Sequence, residues 1–278
     1  MVCKILKQGM LLLLFSFVGG QLSAEEKPLW ELGAGLAVLS NPHYLGADQN
    51  QTYVLPIPYI NYHGEKLRAD RSGVRGFLYN SQGIKIGVSG GGALPVNSDD
   101  SDAREGMEDL DAQFELGPVI EVKLYKDEKH LLRFDLPVRG AFILGDEFLR
   151  HRGWTSNPRF YYQTDIGHWQ IGVDAGVVWS DQRYHAYIYD VDSEDVTVDR
   201  PFYQSESGFT ASRYNVDIRR RFKNCFFAEC YVGAKFRYYN LSGADNVDSP
   251  LVKDEDYLAA SFVIAWIFGK SSKTVNVD

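Results

Sequence analysis

From His130 to Leu144 the sequence reads HLLRFDLPVRGAFIL. Leu132, Phe134, Leu136, Val138, Phe142 and Leu144 occupy even positions, while Arg133, Asp135 and Arg139 fall on odd ones. The same alternation runs through 111–125, where Phe114, Leu116, Ile120 and Val122 oppose Gln113, Glu115, Glu121 and Lys123. It returns in 214–222, with Tyr214, Val216, Ile218 and Phe222 against Asn215, Asp217, Arg219 and Arg221, and in 226–238. Period two held over 9 to 15 residues is β structure, because a helix would scatter these charges around its circumference.

Alternation alone leaves open whether the apolar face looks inward, as in a soluble sandwich or cup, or outward at lipid. Three features favour lipid. Strands of up to 15 residues exceed the usual globular length and suit tilted membrane strands. Trp169 and Trp179 share one face of a strand, separated by Ile171, Val173, Ala175 and Val177. Ten residues tilted by ~40° rise roughly 25 Å, the height between the aromatic girdles of an outer-membrane barrel. Finally, short turns (63–65, 80–83, 126–129, 167–168 and near 223–224) alternate with long acidic loops (40–51, 95–110, 145–157, 190–208 and 242–256). That is the pattern of a barrel with one end in the periplasm and the other outside.

The expected fold is therefore all-β: a transmembrane, antiparallel, up-and-down β-barrel of about twelve strands. They lie near 30–39, 52–62, 66–71, 74–80, 84–94, 111–125, 130–144, 158–166, 169–189, 210–222, 226–240 and 257–268. The region 66–80 could equally be one bent strand. In the last strand Trp266 and Phe268 complete an outward belt that begins at Leu258, and with Trp169 and Trp179 they form the aromatic girdles. The opposite face of that strand is mostly small, leaving room in the lumen.

Ahead of the barrel, Lys4 and Lys7 precede the short apolar run MLLLLFSFVGG, and LSA precedes Glu25. This layout reads as a secretory signal peptide, 1–24, removed after Ala24. The barrel then occupies 25–268 and a short tail 269–278. Export removes two of the 29 basic residues and none of the 37 acidic ones, so the mature chain is more acidic than the −8 of the whole. No basic tract or nucleic-acid motif occurs, which argues against a nucleic-acid partner.

The strand TYVLPIPYINY carries Pro56 and Pro58, which cannot donate to a ladder. Residues i and i+2 aim their N–H groups at the same neighbour, so one edge is spoiled and the other left intact. The defect can sit beside the short third strand as a weak point in the wall.

Three segments resemble the MipA/OmpV family of outer-membrane proteins. They are YLGADQNQTYVLPIPYINY, DLDAQFELGPVIEV and the closing YYNLSGADNVDSPLVKDEDYLAASFVIAWIF, in order along residues 30 to 268. The resemblance implies a monomeric barrel in the outer membrane of a Gram-negative bacterium. It also implies a scaffold that links a murein lytic transglycosylase with a murein synthase; other members are described as pores. The stretch GKSSKTVNVD after Phe268 departs from the family's usual aromatic terminus.

The candidate chemistry is sparse. The six histidines sit in no nucleophile motif, so the chain reads as a non-enzyme with no cofactor and no catalytic or metal residues. A hydrolase would need a Ser–His or diacid pair at the rim. Arg219, Arg221, Lys235 and Arg237 could form a basic stripe along a narrow, solute-conducting lumen, or pair with neighbouring acids. The acidic loops NSDDSDAREGMEDLD and DVDSEDVTVD lack the EF-hand layout and read as solvated. They could also share divalent cations with the phosphates of lipopolysaccharide, which, with outer-membrane lipid, would surround the barrel. Cys225 and Cys230 meet an oxidising periplasm. In one straight strand they would lie ~16 Å apart, while in a loop they could bond.

Overall fold

The computed structural model describes residues 26–64, 67–70, 73–81, 83–144, 148–226 and 228–276. The expected signal peptide lies outside the described residues. The elements are β1 (Glu26–Pro28), β2 (Trp30–Pro42), β3 (Asn50–His63), β4 (Leu67–Asp70), β5 (Gly73–Asn80), β6 (Ile84–Ala93), β7 (Gln113–Lys126), β8 (His130–Leu144), β9 (Phe148–Ser156), β10 (Arg159–Ile166), β11 (Trp169–Ser180), α1 (Gln182–Tyr189), β12 (Gly208–Cys225), β13 (Ala228–Asn240), β14 (Asp256–Lys270) and β15 (Thr274–Asn276).

Each wall strand is antiparallel to the strands it pairs with, and β14 pairs back onto β2, from Ala260↔Ser40 to Lys270↔Glu31. β9 and β10 share one lane: both lie between β8 and β11. Counted that way the ring has twelve positions, an up-and-down barrel. Large apolar side chains face out, among them Leu36, Val54, Leu116, Phe160, Val216 and Phe262, while Glu31, Glu121, Asp135 and Asp174 are buried inside. Cross-strand aromatic pairs brace the outer face, with ring centroids 5.3 Å apart for Phe114–Phe142 and 5.0 Å for Phe134–Phe160.

The structure departs from the sequence expectations at several points. Residues 145–157 are not all loop, because β9 fills 148–156. Its sequence FLRHRGWTS has no clean alternation, and register shifts at Ala141/Phe142 and Ile143/Leu144 break its parity against β8. The break at Asn157–Pro158 is patched: Val177 N donates to Pro158 O and Asn157 Nδ2 donates to Val177 O. The expected strand 169–189 stops at Ser180. Asp181 then caps α1, its carboxylate accepting from Tyr184 N at 2.9 Å. Within 66–80 the described residues form two strands, β4 and β5.

The described residues after Phe268, 269–276, are built into the fold. Gly269 and Lys270 extend the β14–β2 ladder, and β15 turns back to pair with β1 at the short-turn end. Leu29 N donates to Lys273 O and His63 N to Leu29 O, tying this small sheet to the rim of the barrel.

The proline strand is asymmetric. β3 pairs with β2 continuously, from Trp30↔Tyr62 to Pro42↔Asn50, with both prolines inside the run. Its other edge meets β4 at Tyr62↔Ala69 and His63↔Arg68 alone among the described residues. The prolines therefore aim their missing donors at the edge that has no ladder to lose.

Candidate functional site

Ion pairs cross much of the lumen. Asp135 is 1% exposed and sits between Arg133 Nε at 2.6 Å and an Arg159 NH2 at 3.2 Å. Arg213 reaches Asp174 at 3.4 Å, and Arg139 reaches Glu115 at 3.4 Å. Of the expected basic stripe, Arg219 contacts Asp217 at 2.7 Å and donates to the Tyr161 hydroxyl. Arg221 bridges Glu31 at 2.7 Å and Glu229 at 2.9 Å. Lys235 and Arg237 lie opposite Asp217 and Asn215 in the ladder, and neither is within ion-pair distance of a carboxylate among the described residues. The stripe is thus half neutralised by acids of its own and neighbouring strands.

The floor is cross-braced at the short-turn end. Glu31 of β2 accepts from Arg221 of β12, Tyr59 and Asn61, so its carboxylate spans strands that are not adjacent in the ring. Lys270 joins through Glu229 at 3.5 Å. Just beyond, Cys225 and Cys230 form a disulfide with Cα atoms 5.5 Å apart. A register shift between Phe222 and Cys225 and a left-handed Phe226 (φ 66°) turn the chain there, so the straight-strand geometry does not apply. Phe226, at the tip, is 91% exposed.

The opposite mouth is capped. Four loops, 43–49, 94–112, 181–207 and 241–255, share a hydrophobic core around Tyr44, Val96, Leu110, Tyr189, Val191 and Leu251. Their buried polar groups are tied across loops: the Tyr44 hydroxyl to Leu251 O, the Tyr189 hydroxyl to Leu45 O, and Ser249 Oγ to Tyr189 O. Two buried arginines staple the backbone. Arg104 donates to Ile188 O and Glu108 O, and Arg200 donates to Ala103 O, Glu105 O and Asp195 O. Burial pushes the Tyr44 hydroxyl up to about 12 and holds the Arg104 guanidinium below its ordinary value.

Helix α1 lies across this mouth. The Tyr184 hydroxyl meets Gln113 of β7, a Cβ at Gly153 of β9 would strike Asp181 and Tyr184, and His185 Nε2 meets the Thr210 hydroxyl of β12 at 2.8 Å. Neither the helix nor the packed loop core had a motif; the Asp181 cap was the available signal.

His185 is fully buried, and burial depresses its pKa below the usual 6.5. Around it stand the Glu206 carbonyl, Thr210, Asn246, Tyr184 and Tyr189, with Asp181, Asp190 and Asp245 pulling the pKa the other way. A depressed histidine binds its proton more tightly when the cap opens. Cap stability therefore falls as pH drops through about 6.5 toward the lowered value. Limited proteolysis within 181–207 should accelerate on acidification, and His185→Gln should flatten that dependence. Equal acceleration in the variant would assign it to other groups.

Among the described residues, no group of three or more His, Cys, Asp and Glu side chains is placed to hold a metal ion. Trp169 and Trp179 stand exposed at opposite ends of β11, Arg220 lies 5.2 Å over the Trp169 ring, and Phe268 is exposed at the short-turn end of β14 beside half-buried Trp266.

The chain is similar in sequence to two outer membrane proteins. The outer membrane protein Omp26La of Vibrio anguillarum and the outer membrane protein OmpV of Vibrio cholerae are each 19% identical over 224 residues, covering 80% of this chain and 80% of theirs. Among solved structures, a bacterial polysaccharide outer membrane secretin aligns over 87% of this chain and 99% of its own, with 9% identity and a TM-score of 0.42. Outer membrane phospholipase A from Escherichia coli covers 87% of this chain and 94% of its own, with 8% identity and a TM-score of 0.33. The sequence profile described as MltA-interacting protein MipA matches residues 34–268, so the chain belongs to the MipA family and is an outer-membrane β-barrel protein.

Proposed function

We propose that this barrel is a non-enzymatic envelope scaffold whose periplasmic end docks murein enzymes, a lytic transglycosylase and a murein synthase, to the outer membrane. The observation that carries the reading is the contrast between its two ends. The outer mouth is roofed by packed loops and the lumen is crossed by ion pairs, which disfavours flux. The periplasmic end is built as a rigid surface. It comprises the β1–β15 sheet, the Glu31–Arg221–Glu229–Lys270 network and a disulfide-clamped turn that presents Phe226. An exposed aromatic on a pre-ordered turn binds with little entropic cost. The family description, an MltA-interacting protein, supplies the partner class.

The test is site-specific photo-crosslinking in intact cells from position 226 and from β15, with outer-loop position 198 as control. Murein-enzyme adducts from the periplasmic positions alone are expected. Identical adduct patterns from both ends would remove the scaffold reading.

The runner-up is a small-solute channel, favoured by Lys235 and Arg237, which lack carboxylate partners among the described residues. Steady conductance of the unmodified protein in planar bilayers would support it over the scaffold.

A further inference from the structure

One sector of the lumen is apolar, contrary to the rule for barrel interiors. The ladders set Leu55 of β3 beside Ala37 of β2 and Val263 of β14, and the next level sets Ile57 beside Gly35 and Ala265. All six alternate with outward-facing neighbours, so they point inward, and no polar side chain interrupts them. Leu36, Val54 and Phe262 are exposed on the other face of the same three strands. The sector is greasy on both sides. Leu55, Ile57 and Val263 are also only half-buried, so part of their surface is left uncovered by protein.

This sector ends at the seam. From Asn50 to Pro58, β3 has no ladder partner on its second edge among the described residues. β6 pairs with β5 no further than Ser89, and Gly90, Gly91 and Gly92 continue past it toward the long-loop end. Pro56 and Pro58 deny an incoming strand two donors, which argues against strand addition by a peptide or a second copy. What lies against the seam in a membrane is lipid. Behind the glycines is a polar cluster: Arg139 Nε donates to Ser89 Oγ at 2.9 Å, and its guanidinium is 3.4 Å from Glu115. A Cβ at Gly91 would come within 2.9 Å of the Glu115 carboxylate, so the missing side chain leaves this cluster uncovered.

We propose that the barrel admits the acyl chain of a membrane amphiphile sideways between β3 and β6. The chain lies along Leu55, Ile57 and Val263, and the polar head rests near Arg139 and Ser89. An acyl chain is the one abundant neighbour that matches apolar walls on both sides of the strand, and the roof of packed loops leaves the seam as the lateral way in. Occupancy of the seam stands apart from any murein partner.

The experiment reconstitutes the full mature chain in phosphatidylethanolamine–phosphatidylglycerol vesicles carrying a diazirine-tagged acyl probe, followed by light and peptide mapping. One arm uses free diazirine-palmitate and the other a diazirine-tagged phosphatidylethanolamine. Label on inward-facing Leu55, Ile57 or Val263 is expected in at least one arm, and the arm that labels identifies fatty acid or phospholipid. Ile57→Trp fills the lane and should abolish inward label while outward label at Val54 and Phe262 persists. Retained heat-modifiable migration checks that the variant folds, and Ala37→Leu repeats the block from the neighbouring strand. Label confined to outward-facing residues in both arms of the unmodified protein overturns the proposal.

Discussion

Asp135→Ala should lower the unfolding free energy of the barrel by about 3–5 kcal/mol, the range for breaking a buried ion pair by removing one partner. Asp135 is almost wholly buried and is held by two arginines, one on its own strand and one on β10 across the ladder. Without the carboxylate, Arg133 and Arg159 face one another with Arg213 nearby, and like charges in a confined lumen repel. Arg133 keeps one compensation, its position 4.8 Å over the Tyr161 ring, which is too weak to restore the balance. Asp135→Asn keeps an acceptor and should cost less. Urea titration of the detergent-refolded protein, followed by heat-modifiable migration, reads both. A loss within about 1 kcal/mol, the range of exposed ion pairs, would mean that water screens this site and that the lumen is wetter than its packing implies.

That arrangement was largely visible in the sequence, because parity assigns a face to every residue of a regular strand. Arg133, Asp135, Arg139 and Arg219 all appear where alternation put them, and Trp169 and Trp179 stand exposed at opposite ends of one strand. Parity has nothing to say where strands end or shift register. α1 was hidden because Tyr184, Ala186 and Ile188 mimic a continuing strand, although Asp181 is a good cap. β9 was hidden because its sequence barely alternates and its register slips twice against β8. The loop cap depends on residues far apart in sequence, such as Tyr44 with Leu251, and no local pattern encodes such a meeting. The apolar lumen sector was legible in principle. TYVLPIPYINY has no charged face at all, and a strand without one has apolar material on both sides.

Loosening the cap should open the lumen from outside. Arg104 and Arg200 are buried, and both donate mainly to backbone carbonyls of the loops they join, so truncating either leaves several acceptors unsatisfied. Each such buried group costs about 1–3 kcal/mol, comparable with the stability of a single loop closure. The two staples hold the same pair of loops, 94–112 and 181–207, so the Arg104→Ala/Arg200→Ala double variant should be less than additive. The wall contributes none of these bonds. Heat-modifiable migration should therefore be unchanged while protease cuts the outer loops faster. Bilayer conductance should rise above that of the unmodified protein, because α1 no longer lies fixed across Gln113, Gly153 and Thr210. Cleaved loops without added conductance would place the barrier lower, at the ion pairs around Asp135 and Arg221. Steady conductance already present in the unmodified protein and unchanged by the substitutions would instead show that the roof never was the barrier, and the solute-channel reading would gain at the scaffold's expense.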